Sequence, residues 1–323
     1  MAPEVLPGME GALRPTRVAF AGRQQRHFYL TLPGRRIKRF APDVAFLEAE
    51  PFSVAAIQWW PALRRHRIPF GVQFAENIDR PMPGPLVDLR RRVLRDAAFV
   101  GARSETATRL ARQWGAAGEV GVAPHAVPGW DPVSLPTERP FTVGYAGRLV
   151  ESKGLLDLLA AVRMLPAPVE LVLIGNGELR SRLEGQEIPG SRVRVIDDIS
   201  HDEMATGYAQ LDVVALPSHT TPSWKEQFGR VIVEALWCGV PVVGSDSGEI
   251  PWLIEKTGGG LVFPEGDAEA LAARLADLRA SPERRRELAR QGRRAAEDLF
   301  SVPAAATALE RLLVTALADR RPA

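Results

Sequence analysis

At 323 residues the chain is long for one domain and comfortable for two, and its 46% hydrophobic content is enough to fill sizeable cores. A single cysteine, Cys238, excludes a disulfide framework and any cysteine-only metal cluster. The net charge of +2 is nearly balanced, so no overall acidic or basic character dictates the partner.

The balance hides an asymmetry. Arg14, Arg17, Arg23, Arg26, Arg35, Arg36, Lys38 and Arg39 form one run without an acid, Arg90, Arg91, Arg92 and Arg95 form a second cluster, and the C-terminal half is richer in acids. A basic half can meet nucleic acid, anionic lipid or a phosphorylated acceptor, and a solvated arginine-rich face is the plain alternative. Arginine density alone is a weak nucleic-acid signal, and no nucleic acid is expected. Residues 1–15 read as a loose leader rich in proline and glycine, without the apolar segment of a signal peptide. No run of about 18 apolar residues predicts a membrane span. The expected location is therefore cytoplasmic, with peripheral contact at the inner membrane face as an extension of the basic run.

In chain order, short apolar runs predict buried strands at Thr16 to Gly22, Asp43 to Leu47, Pro69 to Phe74, Ala98 to Ala102 and Glu119 to Ala123. Helical patterns lie between them at Phe52 to Arg65, Leu86 to Arg95 and Glu105 to Trp114. The stretch Val127 to Pro140 carries four prolines and a glycine without periodicity and reads as a linker. The alternation then restarts. Strands are predicted at Thr142 to Ala146, Val169 to Ile174, Arg192 to Ile196, Asp212 to Leu216, Val240 to Gly244 and Leu261 to Phe263. Helices are predicted at Leu155 to Leu165, Asp202 to Gln210 and Gly229 to Trp237, and two or three more cover Ala268 to Ala318. The fold class is α/β, with parallel sheets covered on both faces.

Four polar constellations follow predicted strands. In 147–154 (GRLVESKG) a glycine turn exposes backbone N–H groups at a helix start, Arg148 offers a planar fork to phosphate oxygens and Lys153 a compact positive charge. Gly175-Asn176-Gly177-Glu178 repeats the strand–glycine–helix arrangement without the dinucleotide fingerprint, which counts against a nicotinamide enzyme. Glu226-Gln227-Phe228-Gly229 is expected to open a helix carrying Glu234, with the two acids on one side about two turns apart. One carboxylate would then reach sugar hydroxyls and the other ribose hydroxyls, while the N–H groups of Phe228 and Gly229 face phosphate or sugar. Ser245-Asp246-Ser247-Gly248-Glu249 supplies a fourth loop at a strand end. The histidines lack metal-ligand spacing and no Asp-x-Asp pair occupies a strand-end loop, so no metal is expected and Arg148 and Lys153 are left to neutralise a diphosphate.

GRLVESKG at 147–154, LIGNGEL at 173–179 and PSHTTPSWKEQFGRVIVEALWCGVPVVGSDSGEIP at 217–251 resemble the donor domain of family 4 of the retaining glycosyltransferases, which have the GT-B architecture. A weaker match extends through PDVAFLEAEPFS at 42–53 and over nearly the whole chain. The resemblance implies two Rossmann-like parallel-sheet domains facing across a cleft. The N-terminal, acceptor-side domain would be a shortened unit at 1–135, the nucleotide-sugar domain would span 136–300, and a last helix at 301–323 would cross back. By the same resemblance Arg148 and Lys153 hold the diphosphate, with Gly175 in the donor site. Glu226, Phe228 and Gly229 face sugar and phosphate, Glu234 binds ribose, and the main chain near Asp198 and Ile199 meets the base. Catalytic positions are thus Glu226, Arg148 and Lys153. The implied activity is metal-independent, retaining transfer from a nucleoside diphosphate sugar to an acceptor hydroxyl in glycan or glycoconjugate biosynthesis, with no separate cofactor. The alternative is a non-catalytic relative that binds the nucleotide sugar or serves as a scaffold. Two departures bear on acceptor handling: the N-terminal unit is short, and Gln73-Phe74-Ala75-Glu76-Asn77 stands where many members carry a histidine, leaving Glu76 and Asn77 as its substitutes.

Overall fold

The computed structural model describes residues 16–23, 25–127, 129–130, 139–197, 199–200 and 203–318. Two parallel sheets form separate layers, each with its own core, and they face one another across a cleft.

The N-terminal unit begins with a small antiparallel pair, β1 (Val18–Ala19) and β2 (Phe28–Tyr29), followed by α1 (Pro33–Phe40). The parallel alternation starts only afterwards: β3 (Ala45–Leu47), α2 (Val54–Arg65), β4 (Phe70–Phe74), α3 (Gly84–Asp96), β5 (Phe99–Ala102), α4 (Glu105–Gln113) and β6 (Glu119–Val122). The four strands lie in chain order, β3-β4-β5-β6. The run at Thr16 to Gly22, expected as a buried strand, therefore does not join the parallel sheet. Its apolar part is two residues long before Phe20 turns to φ 54, and Phe20 is 59% exposed, so the segment folds back on Tyr29 instead of being sandwiched between helices. Capping starts the helices where the sequence allows it. Ser53 Oγ accepts from Ala56 N at 3.2 Å and Ser104 Oγ from Ala107 N at 3.2 Å, satisfying N–H groups that the helix leaves open.

The C-terminal unit comprises β7 (Phe141–Ala146), α5 (Leu155–Arg163), β8 (Val169–Ile174), α6 (Arg180–Glu184), β9 (Arg192–Ile196), α7 (Met204–Ala209), β10 (Val213–Leu216), α8 (Arg230–Trp237), β11 (Val242–Ser245), α9 (Ile250–Thr257) and β12 (Gly260–Phe263). Its strand order is β12-β11-β10-β7-β8-β9, all parallel, which is the doubly wound order with a switch between β7 and β10. Strands β7, β8, β10 and β11 are buried almost throughout, as expected of apolar runs covered on both faces.

Three helices close the chain: α10 (Ala268–Ala280), α11 (Pro282–Phe300) and α12 (Val302–Ala318). Helix α11 packs on α8 and α9, whereas α12 packs on β5 and β6 of the other sheet. Leu312 and Ala316 join Phe99 and Ala123 there, and Gly121 leaves the space that Leu312 fills. Val127 N also donates to Phe300 O at 2.8 Å, so both units are tied at the chain crossing. Among the described residues no single helix is long and apolar enough to cross a membrane; α11 and α12 pass such a test only as a pair bent by 42°.

Candidate functional site

The loops after β7, β8, β10 and β11 converge at the strand ends of the C-terminal sheet. They are held by main-chain hydrogen bonds: Leu149 N to Asn176 O at 2.8 Å, Leu179 N to Leu149 O at 2.9 Å and His219 N to Ser152 O at 2.9 Å. Two glycines make this proximity possible. Gly175 has φ +138, and a Cβ there would lie 2.0 Å from Gly147 O; Gly154 has φ +64, and a Cβ would lie 1.9 Å from Pro217 O. The 147–154 loop ends in a 3-10 turn at Glu151–Lys153, from which α5 departs.

Lys153 and Glu226 meet in this convergence. Lys153 Nζ lies 2.6 Å from Glu226 Oε2, with both side chains only 12% exposed. Ser218 Oγ donates to the same carboxylate oxygen at 3.1 Å. A short charge-assisted contact shielded from water is worth more than a surface pair. Arg148, on the same loop, is exposed, and among the described residues its guanidinium has no hydrogen-bond or ion-pair partner. Its carbonyl instead accepts from Tyr145 Oη at 2.9 Å. Burial, followed by the nearby Glu226 charge, pushes the Tyr145 phenol far above its ordinary range and keeps it a donor.

Glu226 does not open the helix that carries Glu234. Helix α8 starts at Arg230, because Gly229, immediately before it, takes φ +74 and breaks the chain direction. The acids therefore occupy a loop and a helix rather than one helical face. Glu234 is 7% exposed and fully engaged, with Tyr208 Oη donating at 2.9 Å and Arg230 Nη2 at 3.0 Å. These partners offset the cost of burying a carboxylate. Burial first and Glu234 second raise the Tyr208 phenol well above its usual value. The Phe228 side chain is buried and packs edge-on against His125, with ring centroids 5.2 Å apart, and against Phe300 at 5.7 Å. Ile199 packs at the periphery of the large core, while Asp198, expected beside it, lies outside the described residues. The 245–249 loop is knitted to the others by Ser245 Oγ to Ser218 O at 2.6 Å, Thr220 Oγ1 with Ser247 Oγ at 3.0 Å, and Glu249 N to Glu226 O at 3.0 Å.

Across the cleft, Asn77 Nδ2 donates to Glu226 O at 2.8 Å, joining the end of β4 to the Glu226 loop. Glu50, Glu76, Arg103 and His125 cluster nearby at the ends of β3 to β6. Burial raises the Glu50 carboxyl to about 8, despite the hydrogen bond of 2.8 Å that Oε1 accepts from Ala75 N. Burial, then Arg103 and Arg230, lowers His125 to about 4, so it is neutral at ordinary pH.

Sequence reasoning singled out Arg148, Lys153, Glu226 and Glu234 but not Tyr208 and Trp224, which meet Glu234 and Lys153 from far along the chain, nor Tyr145 and Ser218, whose bonds to Arg148 and Glu226 are local but sit in an apolar strand and an irregular loop. Only Asn77 carried a signal, as one of the two residues standing in for a histidine. Among the described residues no group of three or more histidine, cysteine or carboxylate side chains is placed to hold a metal ion.

A family model described as glycosyl transferases group 1 matches residues 129–295, more than half of the chain. The chain belongs to that family. This corrects the narrower resemblance drawn from the motifs: the match covers the donor-side loops that carried it and supports group 1, not specifically family 4. Among curated relatives, the D-inositol 3-phosphate glycosyltransferase of Xylanimonas cellulosilytica is 34% identical over 198 residues, covering 59% of this chain and 46% of the relative. The amylovoran biosynthesis glycosyltransferase AmsK of Erwinia amylovora is 33% identical over 147 residues, covering 43% and 36%. The chain thus spans less than half the length of these two relatives. Among solved structures, sucrose-phosphate synthase from Thermosynechococcus elongatus superposes with TM-score 0.71 at 24% identity, covering 88% of this chain and 76% of that one. Anabaena HepE in complex with UDP gives 0.69 at 20%, covering 87% and 82%. Both likenesses establish the GT-B arrangement of two Rossmann-like domains.

Proposed function

We propose that this chain transfers a sugar from a nucleoside diphosphate sugar to an acceptor hydroxyl. The observation that carries this reading is the Lys153–Glu226 contact at the switch between β7 and β10, where a phosphate-seeking cation meets a sugar-seeking carboxylate. Arg148 and Lys153 take the diphosphate, with Gly175 beneath it. Glu226 and the main chain of Phe228 and Gly229 face the sugar. Glu234 meets the ribose and Ile199 the base. The N-terminal unit, residues 1–135, receives the acceptor, and residues 136–300 bind the donor. No metal is required, because two cations already face the phosphates. Transfer proceeds with retention: Glu226 is engaged by Lys153 and Ser218 and is not free to deprotonate a nucleophile on the opposite face of the sugar.

The experiment is a thermal-shift screen with UDP, GDP, ADP and their sugars, followed by turnover with chelator present and determination of the product's anomeric configuration. Selective ligands raise the melting temperature by mass action. Binding of nucleotide sugars without turnover toward any acceptor favours the non-catalytic alternative. Loss of turnover with chelator, restored by magnesium or manganese, rules out metal independence.

We also infer that the N-terminal unit touches an anionic membrane face, from a cytoplasmic location. No acid occurs between Thr16 and Pro42, and Arg17, Arg23, Arg26, Arg35, Lys38 and Arg39 are exposed beside Phe20, Leu30, Leu32 and Phe40, which are 59–76% exposed. Exposed apolar residues interspersed along the chain with exposed cations suit a lipid interface. The second arginine cluster contributes less than its sequence suggests. Arg90 is buried, with its guanidinium 3.4 Å from the Trp114 ring centroid. Arg14 lies outside the described residues. Co-sedimentation with phosphatidylglycerol vesicles at low salt, lost with phosphatidylcholine alone, is the expected result; absence of binding to either leaves a solvated basic face.

A further inference from the structure

The convergence that holds Lys153 and Glu226 also holds an aromatic ring that neither the strand-end pattern nor the phosphate chemistry requires. Trp224 sits in a tight turn, with Thr221 N donating to Trp224 O at 2.7 Å and Trp224 N to Thr221 O at 3.3 Å. Thr221 Oγ1 also donates to Trp224 O at 3.2 Å. The rest of the loop is anchored on both sides. Thr220 N donates to Glu265 Oε2 at 2.9 Å, Glu265 N to Asp246 Oδ1 at 2.8 Å, and His219 Nε2 lies 2.5 Å from Asp157 Oδ2. The loop that carries the turn is thus fixed to the loop after β12 and to helix α5.

Its ring is placed where the two chemistries meet. Lys153 Nζ lies 4.4 Å from the Trp224 ring centroid and 2.6 Å from Glu226 Oε2. The cation is therefore shared between an aromatic face and a carboxylate. Trp224 is only partly buried, so part of its indole remains available. A side chain of this size is usually either packed away or used for contact, and an indole supplies a large rigid apolar face with little conformational entropy to lose. A pyranose offers the matching surface, because one face of the ring presents mainly C–H groups while its hydroxyls point outward. The carboxylate of Glu226 would take hydroxyls and the indole would take the C–H face.

We propose that Trp224 forms the aromatic wall of the sugar subsite and helps set which hexose is transferred. The inference rests on the donor-site reading above and deepens it. It predicts a split between the two ends of the donor, since a wall facing the sugar does nothing for a nucleotide that lacks one. A purely structural role would instead disturb both.

The test uses the full chain with Trp224→Ala, Trp224→Leu and Trp224→Phe. Affinity for UDP and GDP is measured by calorimetry, and KM and kcat are measured with UDP-glucose, UDP-galactose, UDP-N-acetylglucosamine and GDP-mannose. In Trp224→Ala and Trp224→Leu, KM for the preferred sugar nucleotide should rise tenfold or more while affinity for the free diphosphate stays within twofold. The ratio of kcat/KM between the two best sugars should fall toward one, and Trp224→Phe should restore most of both. Melting temperatures within a few degrees of the parent qualify each variant for comparison, and Phe against Leu decides the matter if Ala fails to fold. Unchanged KM and sugar preference in Trp224→Leu overturn the proposal. Equal loss of diphosphate and donor binding also overturns it, because Trp224 would then act through Lys153. If the parent protein binds no diphosphate, it is the donor-site reading that has failed.

Discussion

The two sheets differ in the direction in which they grow. The C-terminal sheet runs outward from β7 both ways, to β9 on one side and β12 on the other, so a topological switch point lies between β7 and β10, where the strand-end loops can line a crevice. The N-terminal sheet runs one way only, from β3 to β6, and has no such switch. The polar groups at the strand ends follow the same division. In the C-terminal unit, the proposed donor side, Lys153 is paired with Glu226, and Glu234 with Arg230 and Tyr208. In the N-terminal unit, the proposed acceptor side, Glu50 Oε2, Glu76 Oε2, Asn77 Oδ1 and Arg103 Nε are buried without hydrogen-bond partners, although Glu76 is ion-paired with Arg80 at 3.4 Å and Arg103 with Glu48 at 3.2 Å. The division is not perfect, since both carboxylate oxygens of Glu249 on the donor side are also unpartnered. A crevice made by topology can be lined with groups already paired in the folded chain. A sheet without one brings its polar ends together, and burial, with the charges of neighbouring groups, then shifts how they ionise.

The comparison predicts that the donor side is the more sensitive to loss of single charges. Lys153→Ala removes a cation from the expected phosphate site and leaves Glu226 with one partner fewer. A charge-assisted contact contributes about 1.5–3 kcal/mol, so diphosphate affinity should fall about ten- to a hundredfold. Arg148→Ala should weaken binding less, because an exposed guanidinium is screened by solvent. Calorimetric titration checks both; unchanged affinity in the two variants would remove the phosphate assignment.

The two donor-side acids should separate next. Glu226→Gln keeps size but not charge, and should lower turnover more than diphosphate affinity, since positive charge near the anomeric carbon develops mainly in the transition state. Glu234→Gln should weaken diphosphate and donor binding together, and should also cost about 1–3 kcal/mol of stability, because Tyr208 and Arg230 lose a charged acceptor. Steady-state kinetics, diphosphate titration and melting curves distinguish these outcomes. If Glu226→Gln altered only diphosphate affinity, the division of labour would be wrong.

Much of the donor side was legible because its signals are local. An apolar strand, a glycine and a charged residue fall within a few positions of one another at Gly147 to Lys153 and again at Leu173 to Glu178. The α/β class with parallel sheets needed only the alternation of elements, whereas the order of the strands was not legible from it. What was not legible depends on contacts across the chain: Tyr208 reaches Glu234 from 26 positions away, and Asn77 reaches the Glu226 carbonyl from 149. The Glu226 to Glu234 spacing misled because a helical period was extended back through Gly229, whose positive φ keeps the helix from starting before Arg230. At Thr16 to Gly22 an apolar run was read as a strand of the main sheet, although nothing in the run itself says which sheet, or which direction, it will pair with.

The effect on the acceptor side should appear only as a function of pH. Glu50 has its carboxyl raised from an ordinary 4.5 to about 8, first by burial and further by Glu76. The folded chain therefore holds this proton more tightly than the unfolded chain. Its contribution to stability is complete below pH 4.5 and is lost as pH rises toward 8, because unfolding then releases a proton. Each tenfold change in proton affinity corresponds to about 1.4 kcal/mol, so the full loss is at most a few kcal/mol. His125 works in the opposite sense and over a lower range: with its value lowered from 6.5 to about 4, it costs stability as pH falls between those limits. Glu50→Gln isolates the first effect, since the amide oxygen can still accept from Ala75 N while the side chain no longer titrates. Urea midpoints at pH 5, 7 and 9 should show the variant close to the parent, or slightly weaker, at pH 5 and progressively more stable than it at pH 7 and 9. His125 is present in both proteins and cancels in the difference. A difference that does not change with pH would mean that Glu50 ionises in the folded chain as it does in water, and the contrast between paired donor-side charges and crowded acceptor-side ones would lose its energetic basis.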